Sequence, residues 1–224
     1  MTFARAFEDP PAVWGVGRLV INGTVTAWPV SQHDIDDEAE SQAPRLAALG
    51  VGAGDIVLVV AMLSEAVHAV PLEKAAGKLG ALYSSADAST GDAFRCASLI
   101  RQLEPVAVVG VNAAVLDGLV ALKRDVRDVF APVAGRIATA DETAHATLDT
   151  AGLSPRRWAK LGPTSAWETE PGSGTLAFDA ERWHVEDDTG EIVITNRAAR
   201  LTPCTSVRTG IRGRVRAPAT IELA

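Results

Sequence analysis

Six arginines, Arg197, Arg200, Arg208, Arg212, Arg214 and Arg216, fall within twenty residues that contain no Asp or Glu. A guanidinium fork pairs two N–H groups with carboxylate or phosphate oxygens, so the run reads in two ways. One is a set of strand-edge and loop cations that balance an acidic body. The other is a site for a phosphorylated ligand or an acidic partner surface. A second cluster, Asp34, Asp36, Asp37, Glu38 and Glu40, has the opposite sign. Helix capping and solvation explain it more simply than a metal ion does.

The remaining reactive side chains are scattered. His33, His68, His145 and His184 form no i,i+4 pair and have no carboxylate at metal-motif spacing. The two cysteines stand in no C-x-x-C context, which argues against a disulfide framework or a structural zinc site. Cys96 reads as a core thiol on a helix, and Cys204, beside Pro203 in a polar stretch, as exposed. Gly50-x-Gly52-x-Gly54 precedes a strand, whereas a dinucleotide fingerprint follows one, so it is a turn. No G-x-S-x-G elbow supports serine hydrolysis.

Composition narrows the classes. The 224 residues carry 21 basic and 28 acidic side chains, a formal charge of −7, and are 47% hydrophobic. Such a chain buries a core and is not disordered. The acidic balance argues against nucleic-acid binding, which needs a basic face to replace counterions. No apolar run reaches the ~18–20 residues that span a bilayer. Residues Met1 to Pro10 lack the basic stretch and apolar run of a secretory signal. The expectation is a cytoplasmic protein with no membrane and no nucleic-acid partner.

The elements that must position these residues alternate. Leu19-Val20-Ile21 and Val25-Thr26-Ala27-Trp28 flank Asn22-Gly23, the strongest short hairpin signal. Ser31 with Asp34 starts a helix carrying Ile35, Ala39, Ala43, Leu46 and Leu49, and Gly50 ends it. Buried strands are expected at 56–61 and 106–111, with a shorter one at 81–83. Helices are expected from Ser64 to Gly80, with Pro71 kinking the helix or marking its second turn, and from Ser89 to Pro105. Two more are expected at 113–122 and 141–151. Beyond Trp158 the pattern turns to strands around Trp183-His184-Val185 and Glu191 to Thr195. The expected fold is α/β: a parallel sheet wrapped by helices, with a small β-rich C-terminal subdomain. Residues 1–170 form the core, including a hairpin at 18–28, and 171–224 the subdomain.

The stretch from Leu46 through Gly50-Val51-Gly52-Ala53-Gly54-Asp55, an apolar strand, then Ser64-Glu65-Ala66-Val67, resembles the N-terminal region of AMP-forming acyl- and aryl-CoA ligases. Their pattern is "ALGV-x-x-GD", a strand, then "NS-x-E". Lys78-Leu79-Gly80-Ala81-Leu82-Tyr83-Ser84-Ser85-Ala86-Asp87 is similar to their "K-x-G-A-x-Y-x-P-x-D", with Ser85 where proline is usual. Leu161-Gly162-Pro163-Thr164-Ser165 falls at "Y-G-x-T-E". There Thr164 matches the threonine that contacts the AMP phosphate, and Ser165 replaces the glutamate that helps hold magnesium. Gly190-Glu191-Ile192-Val193-Ile194-Thr195 is similar to the "GELV-x-T" strand of the phenylacetate-CoA ligase branch. Pro203 with Val207-Arg208-Thr209-Gly210-Ile211 resembles "P-x-x-x-Y-R-T-G-D", with Ile211 replacing the aspartate that grips both ribose hydroxyls.

The resemblance implies ATP or AMP, CoA and magnesium as ancestral cofactors, and a small carboxylic acid or its activated form as ligand. Two expected parts have no counterpart. A phosphate loop of the form "S-G-T-T-G-x-P-K-G" should lie between Val111 and the helix at Ala113, and the chain passes directly from one to the other. The mobile C-terminal domain with the adenylation lysine has no counterpart before Ala224. Pro171-Gly172-Ser173-Gly174-Thr175 superficially resembles the loop but lacks its lysine and reads as a hairpin connection. The function expected is a degenerate, non-catalytic ligase-like protein that binds an acyl, aryl or nucleotide-like ligand or a partner protein. The alternative is an active ligase, alone or completed by a separate chain. The ligand-binding residues expected are Gly162, Thr164, Ser165, Arg208, Thr209 and Gly210, with no catalytic or metal residue. A homodimer or protein partner is expected to cover surface left by the missing structure.

Overall fold

The computed structural model describes residues 12–217 and 219–224, except Asn22. The chain enters as a hairpin, β1 (Gly15–Ile21) against β2 (Thr24–Val30), closed where Ile21 faces Thr24. Gly23 takes φ +72°, the region such a turn demands. Asn22 of that signal, and the Met1–Pro10 stretch, lie outside the described residues. Alternation buries Leu19, Ile21, Trp28 and Val30.

Helix α1 (Gln32–Ala48) opens on a complete capping box between Ser31 and Asp34. Strand β3 (Ile56–Val60) then leads through a single 3-10 turn into α2 (Ala66–Lys78), two residues later than the Ser64 start expected. Glu65 holds that turn by accepting the Met62 amide at 3.0 Å. Pro71 sits in the second turn of α2, where it is buried. The order continues β4 (Leu82–Ala86), α3 (Ala93–Leu103), β5 (Ala107–Val111), α4 (Ala113–Ala121), α5 (Val126–Phe130), β6 (Ile137–Thr139), α6 (Glu142–Thr150) and β7 (Arg156–Leu161). These strands are parallel in the order β4-β3-β5-β6-β7.

Two of the parallel strands escape the sequence pattern. The β6 strand has only three residues, and β7 begins with two arginines in place of an apolar run. Both are buried by neighbours and not by their own periodicity. From β7 the sheet becomes antiparallel through β8 (Thr164–Glu168), β9 (Thr175–Ala177), β13 (Thr220–Leu223), β12 (Val207–Ala217), β11 (Glu191–Asn196) and β10 (Trp183–Asp188). Residues 169–174 connect the β8–β9 hairpin, and hydrogen bonding runs across it without a break.

The strand alternation divides the core. Leu58, Val60, Val108 and Ile137 face α3 to α6, whereas Val57, Val59, Val109 and Ala138 face α1 and α2. Burial on both faces explains the continuous apolar runs, each fully buried Val or Leu contributing about 1.5–3 kcal/mol. A third cluster joins the β1–β2 hairpin to β8, β10, β11 and Ile221 of β13. Cys204 lies in it fully buried, correcting the expectation of exposure. Its Sγ approaches the Ile194 carbonyl at 3.6 Å, and burial pushes the thiol up to about 11.

At the carboxyl end of β5, Gly110 takes φ +95° at a break in the β5–β6 register. A Cβ there would lie 2.1 Å from the Val60 carbonyl oxygen, a backbone atom that cannot step aside. Gly110→Ala therefore combines a disfavoured φ with overpacking, and is expected to cost at least about 3 kcal/mol in urea unfolding.

Candidate functional site

In an open parallel sheet, ligands bind outside the carboxyl ends of the strands where the strand order reverses. Here that point lies between β3 and β5. The turns around it are already tied to one another. Asn112 caps α4 by accepting the Val115 amide at 3.0 Å, and its Nδ2 donates to the Ala88 carbonyl at 3.0 Å. Asp141 accepts the Ala113 amide at 2.9 Å through one oxygen and the Ala144 amide at 2.8 Å through the other. The amides of a helix N-terminus are a ready anion site, and at α4 two of them serve internal carbonyl and carboxylate oxygens.

Gly162 and Pro163 form the two-residue loop of the β7–β8 hairpin, with Gly162 at φ +59°. The Gly162 carbonyl accepts from Nε2 of buried His68 at 2.7 Å. That bond assigns the proton to Nε2, and the other ring nitrogen, Nδ1, is buried without a partner. Burial is the main cause that holds His68 down at about 4, with Lys160 adding to it. Lys160 in turn pairs with Glu65 at 2.5 Å and lies over the Trp158 ring at 5.1 Å.

Thr164 and Ser165 begin β8, all five residues of which are buried. Thr164 donates its hydroxyl to Glu38 at 3.0 Å, and Ser165 exchanges hydrogen bonds with the Gln42 amide at 3.2 and 3.4 Å. Glu38 also accepts Trp183 Nε1 at 2.9 Å and Arg200 at 2.8 Å. Burial pushes the Glu38 carboxyl up, and Arg200 beside it pulls the other way. Arg200 reaches Asp37 at 2.6 Å as well and stacks over Trp183 at 4.9 Å. Asp37 is shared with Arg182 at 2.7 Å.

The acidic cluster therefore divides its work, correcting the reading of it as capping and solvation alone. Asp34 caps, Asp36 and Glu40 pair with Lys74 and Lys78, and Asp37 and Glu38 clamp a distant strap. Glu38 and Gln42 were legible as polar positions beside Ile35 and Leu46 on the buried stripe of α1. Their partners, more than 120 residues away, had no local signal.

Arg208, Thr209 and Gly210 lie on β12 and bond to β11 and, through Asp188, to β10. Arg208 pairs with Glu191 at 2.9 Å and with Asp188, Thr209 donates to the Ile192 carbonyl at 2.9 Å, and the Gly210 amide donates to Glu191 at 2.9 Å. Those bonds hold the Glu191 carboxyl below its ordinary range, the Arg208 hydrogen bond first among them. Ile211 packs half-buried against the β-rich core. One side chain links the two groups: a Cβ on Gly162 would stand 3.2 Å from Ile194, which pairs with Val207 beside Arg208.

This arrangement does not fit the nucleotide and magnesium that the resemblance implies. The Ser165 oxygen faces Gln42, and no group of three or more His, Cys, Asp or Glu among the described residues could hold a metal ion. A triphosphate at α4 would compete with Asp141 and Asn112 for its amides.

The chain is similar to 2-hydroxyisobutyryl-CoA ligase in complex with 2-HIB-AMP and CoA, at TM-score 0.72 and 16% identity over 97% of this chain and 60% of that one. It also matches the N-terminal subdomain of NpsA from Klebsiella oxytoca bound to 3-hydroxyanthranilyl-AMSN (TM-score 0.61, 13% identity, 93% and 61% covered). A benzoate CoA ligase from Burkholderia xenovorans aligns at TM-score 0.62 and 14% identity, with 96% and 50% covered. The chain shares the fold of the matched parts of these proteins. The chain spans about half to three-fifths of their length. No protein-family model and no curated protein matches it. No helix among the described residues is long and apolar enough to cross a membrane.

Two consequences are measurable. His68 binds a proton in the unfolded chain below about pH 6.5 but in the folded chain only below about 4. Stability should therefore fall as pH drops through that window, by roughly 3 kcal/mol at its acid end. His68→Gln, which keeps a donor for Gly162, should flatten that part of the slope in urea titrations. Arg200 and Glu38 side chains are each 6% exposed, so Arg200→Met strands buried carboxylates and should cost about 3–5 kcal/mol. Glu38→Gln combined with Arg200→Met should recover part of that loss in the same assay.

Proposed function

We propose that the chain is a non-catalytic relative of the AMP-forming acyl- and aryl-CoA ligases, keeping their fold as a scaffold that binds an acyl, aryl or nucleotide-like ligand or a partner protein. One observation carries the reading. A single residue, Asn112, separates β5 from α4, where the resemblance calls for a phosphate loop. Pyrophosphate departure needs donors fixed on the phosphates before reaction, and the donors available here cap the fold. Ser165 and Ile211, in place of the magnesium and ribose carboxylates, support the same reading. Ile211 offers neither charge nor a hydrogen bond, so a surviving pocket between the Gly162 turn and the Arg208-Thr209-Gly210 segment suits an acyl or aromatic group better than a sugar.

The sheet edges support the partner half of the reading. The β10 edge carries His184, Glu186, Asp187 and Asp188, charges that block pairing with another strand. The β4 edge, Leu82-Tyr83-Ser84-Ser85-Ala86, carries none, and Leu82 and Tyr83 are 64% and 52% exposed. A second copy or another chain would cover them.

The test is acid-dependent exchange of pyrophosphate into ATP. The pure chain should give none with aromatic or fatty acids. Robust, carboxylate-dependent exchange would overturn the proposal. A thermal-shift panel of ATP, AMP, CoA and the same acids identifies the ligand, because one that binds only the native state adds about 2.7 kcal/mol at a hundredfold excess over Kd. A flat panel transfers the scaffold to a protein partner, read by light scattering as a mass above 23.4 kDa.

A further inference from the structure

A groove of ≈ 870 Å³ runs along the opposite edge of the parallel strands, where Asp55, Val106 and Arg136 lead into β3, β5 and β6. That volume suits a small-molecule ligand. One wall is α3, through Phe94, Ala97 and Arg101, and the other is the turn after α4 together with α5, through Lys123, Arg124 and Val129. The floor is apolar, with Ile100 and Pro105 buried and Val106 and Val129 half-buried. Phe94 is 58% exposed, so its ring offers an open stacking face.

Among the described residues, half of the cations outside this groove are held in ion pairs. Lys74, Lys78, Arg157, Lys160, Arg182, Arg200, Arg208 and Arg216 all pair with carboxylates. Arg101, Lys123, Arg124 and Arg136 line the groove, and none makes an ion pair among the described residues. Arg136 donates to the Pro132 carbonyl at 3.3 Å. Four acids share the rim, but two are committed: Asp125 caps α5 and Asp55 accepts the Gly52 amide at 2.8 Å. Both keep their charge, so four acids balance four cations on the lining, but the oxygens of these two are turned onto backbone amides, whereas the four cations make no ion pair among the described residues. Lys123 holds φ +55° just past α4, where glycine is the ordinary choice, so a charged side chain stands there against the backbone's preference.

We propose that this groove binds a small organic anion with a flat apolar body, its ring against Phe94 and its carboxylate, sulfonate or phosphate oxygens on Lys123 and Arg124. The apolar floor supplies burial, and guanidinium and ammonium donors supply charge-assisted hydrogen bonds. The site lies at the far edge of the sheet from Asn112 and Gly162, so it stands or falls independently of the exchange assay.

The test titrates the protein with 2-naphthoate and follows backbone amide shifts by NMR. Saturable shifts confined to residues 94–106 and 123–136 are expected. Lys123→Ala/Arg124→Ala should weaken binding about tenfold or more, consistent with losing charged hydrogen bonds, and should leave the melting temperature nearly unchanged. Phe94→Ala should weaken it as well, and 2-naphthylmethylamine, with the same ring and the opposite charge, should bind about tenfold less well. Failure to saturate below about 5 mM, shifts centred on other residues, equal binding of the amine, or parental affinity in the double variant would each overturn the proposal.

Discussion

One buried carboxylate ties the two halves of this molecule together. Glu38 projects from α1 and receives hydrogen bonds from Thr164 of β8, Trp183 of β10 and Arg200 of the strap between β11 and β12. Those donors come from segments far apart in the chain, and the antiparallel half of the sheet is registered against α1 through them. A charge so deeply buried is tolerable only when its partners are complete, so the same contact is a constraint on everything around it. Asp37 and Arg182 extend the network, and Asp34 accepts the Leu201 amide at 3.3–3.4 Å to close the strap from its other side.

That network takes up the residues that the ligase resemblance implies for a ligand. In the ligases this chain resembles, the segments at Thr164 and at Arg208-Thr209-Gly210 converge on an adenylate. Here their polar atoms converge on Glu38, Gln42, Glu191 and the Ile192 carbonyl. These donors hold β-strands to a helix or to one another. The α4 N-terminus follows the same logic, with Asp141 standing where an anion would be welcome. Backbone amides at a helix start need partners, and here Asp141 and Asn112 supply them to Ala113 and Val115.

The two edges of the parallel strands are consequently unlike. The carboxyl edge is zipped by side-chain caps, and the amino edge carries an open groove with cations outside any ion pair.

The sequence by itself determined the local elements. The Ser31–Asp34 capping box, the helix starts near Ala113 and Asp141, the β3 and β5 apolar runs and a hairpin connection in the Pro171–Thr175 stretch all follow from short-range chemistry, and the structure has each, the connection at residues 169–174. It also determined the ligase resemblance through motifs in continuous stretches. It did not reveal β6 and β7 as parallel strands, since three residues or a pair of leading arginines carry no readable period. Nor did it reveal that Cys204 is buried, that Glu38 and Gln42 serve β8, or that Arg200 inserts between Trp183 and two carboxylates. The side-chain pairings of Glu38, Gln42 and Arg200 across to and from α1 span 123 to 163 residues, and a side chain's neighbours at that separation are fixed by how the sheet folds α1 and the strap together. Local propensity acts over a few residues, whereas burial and the pairing of buried charge are decided only when the tertiary structure closes.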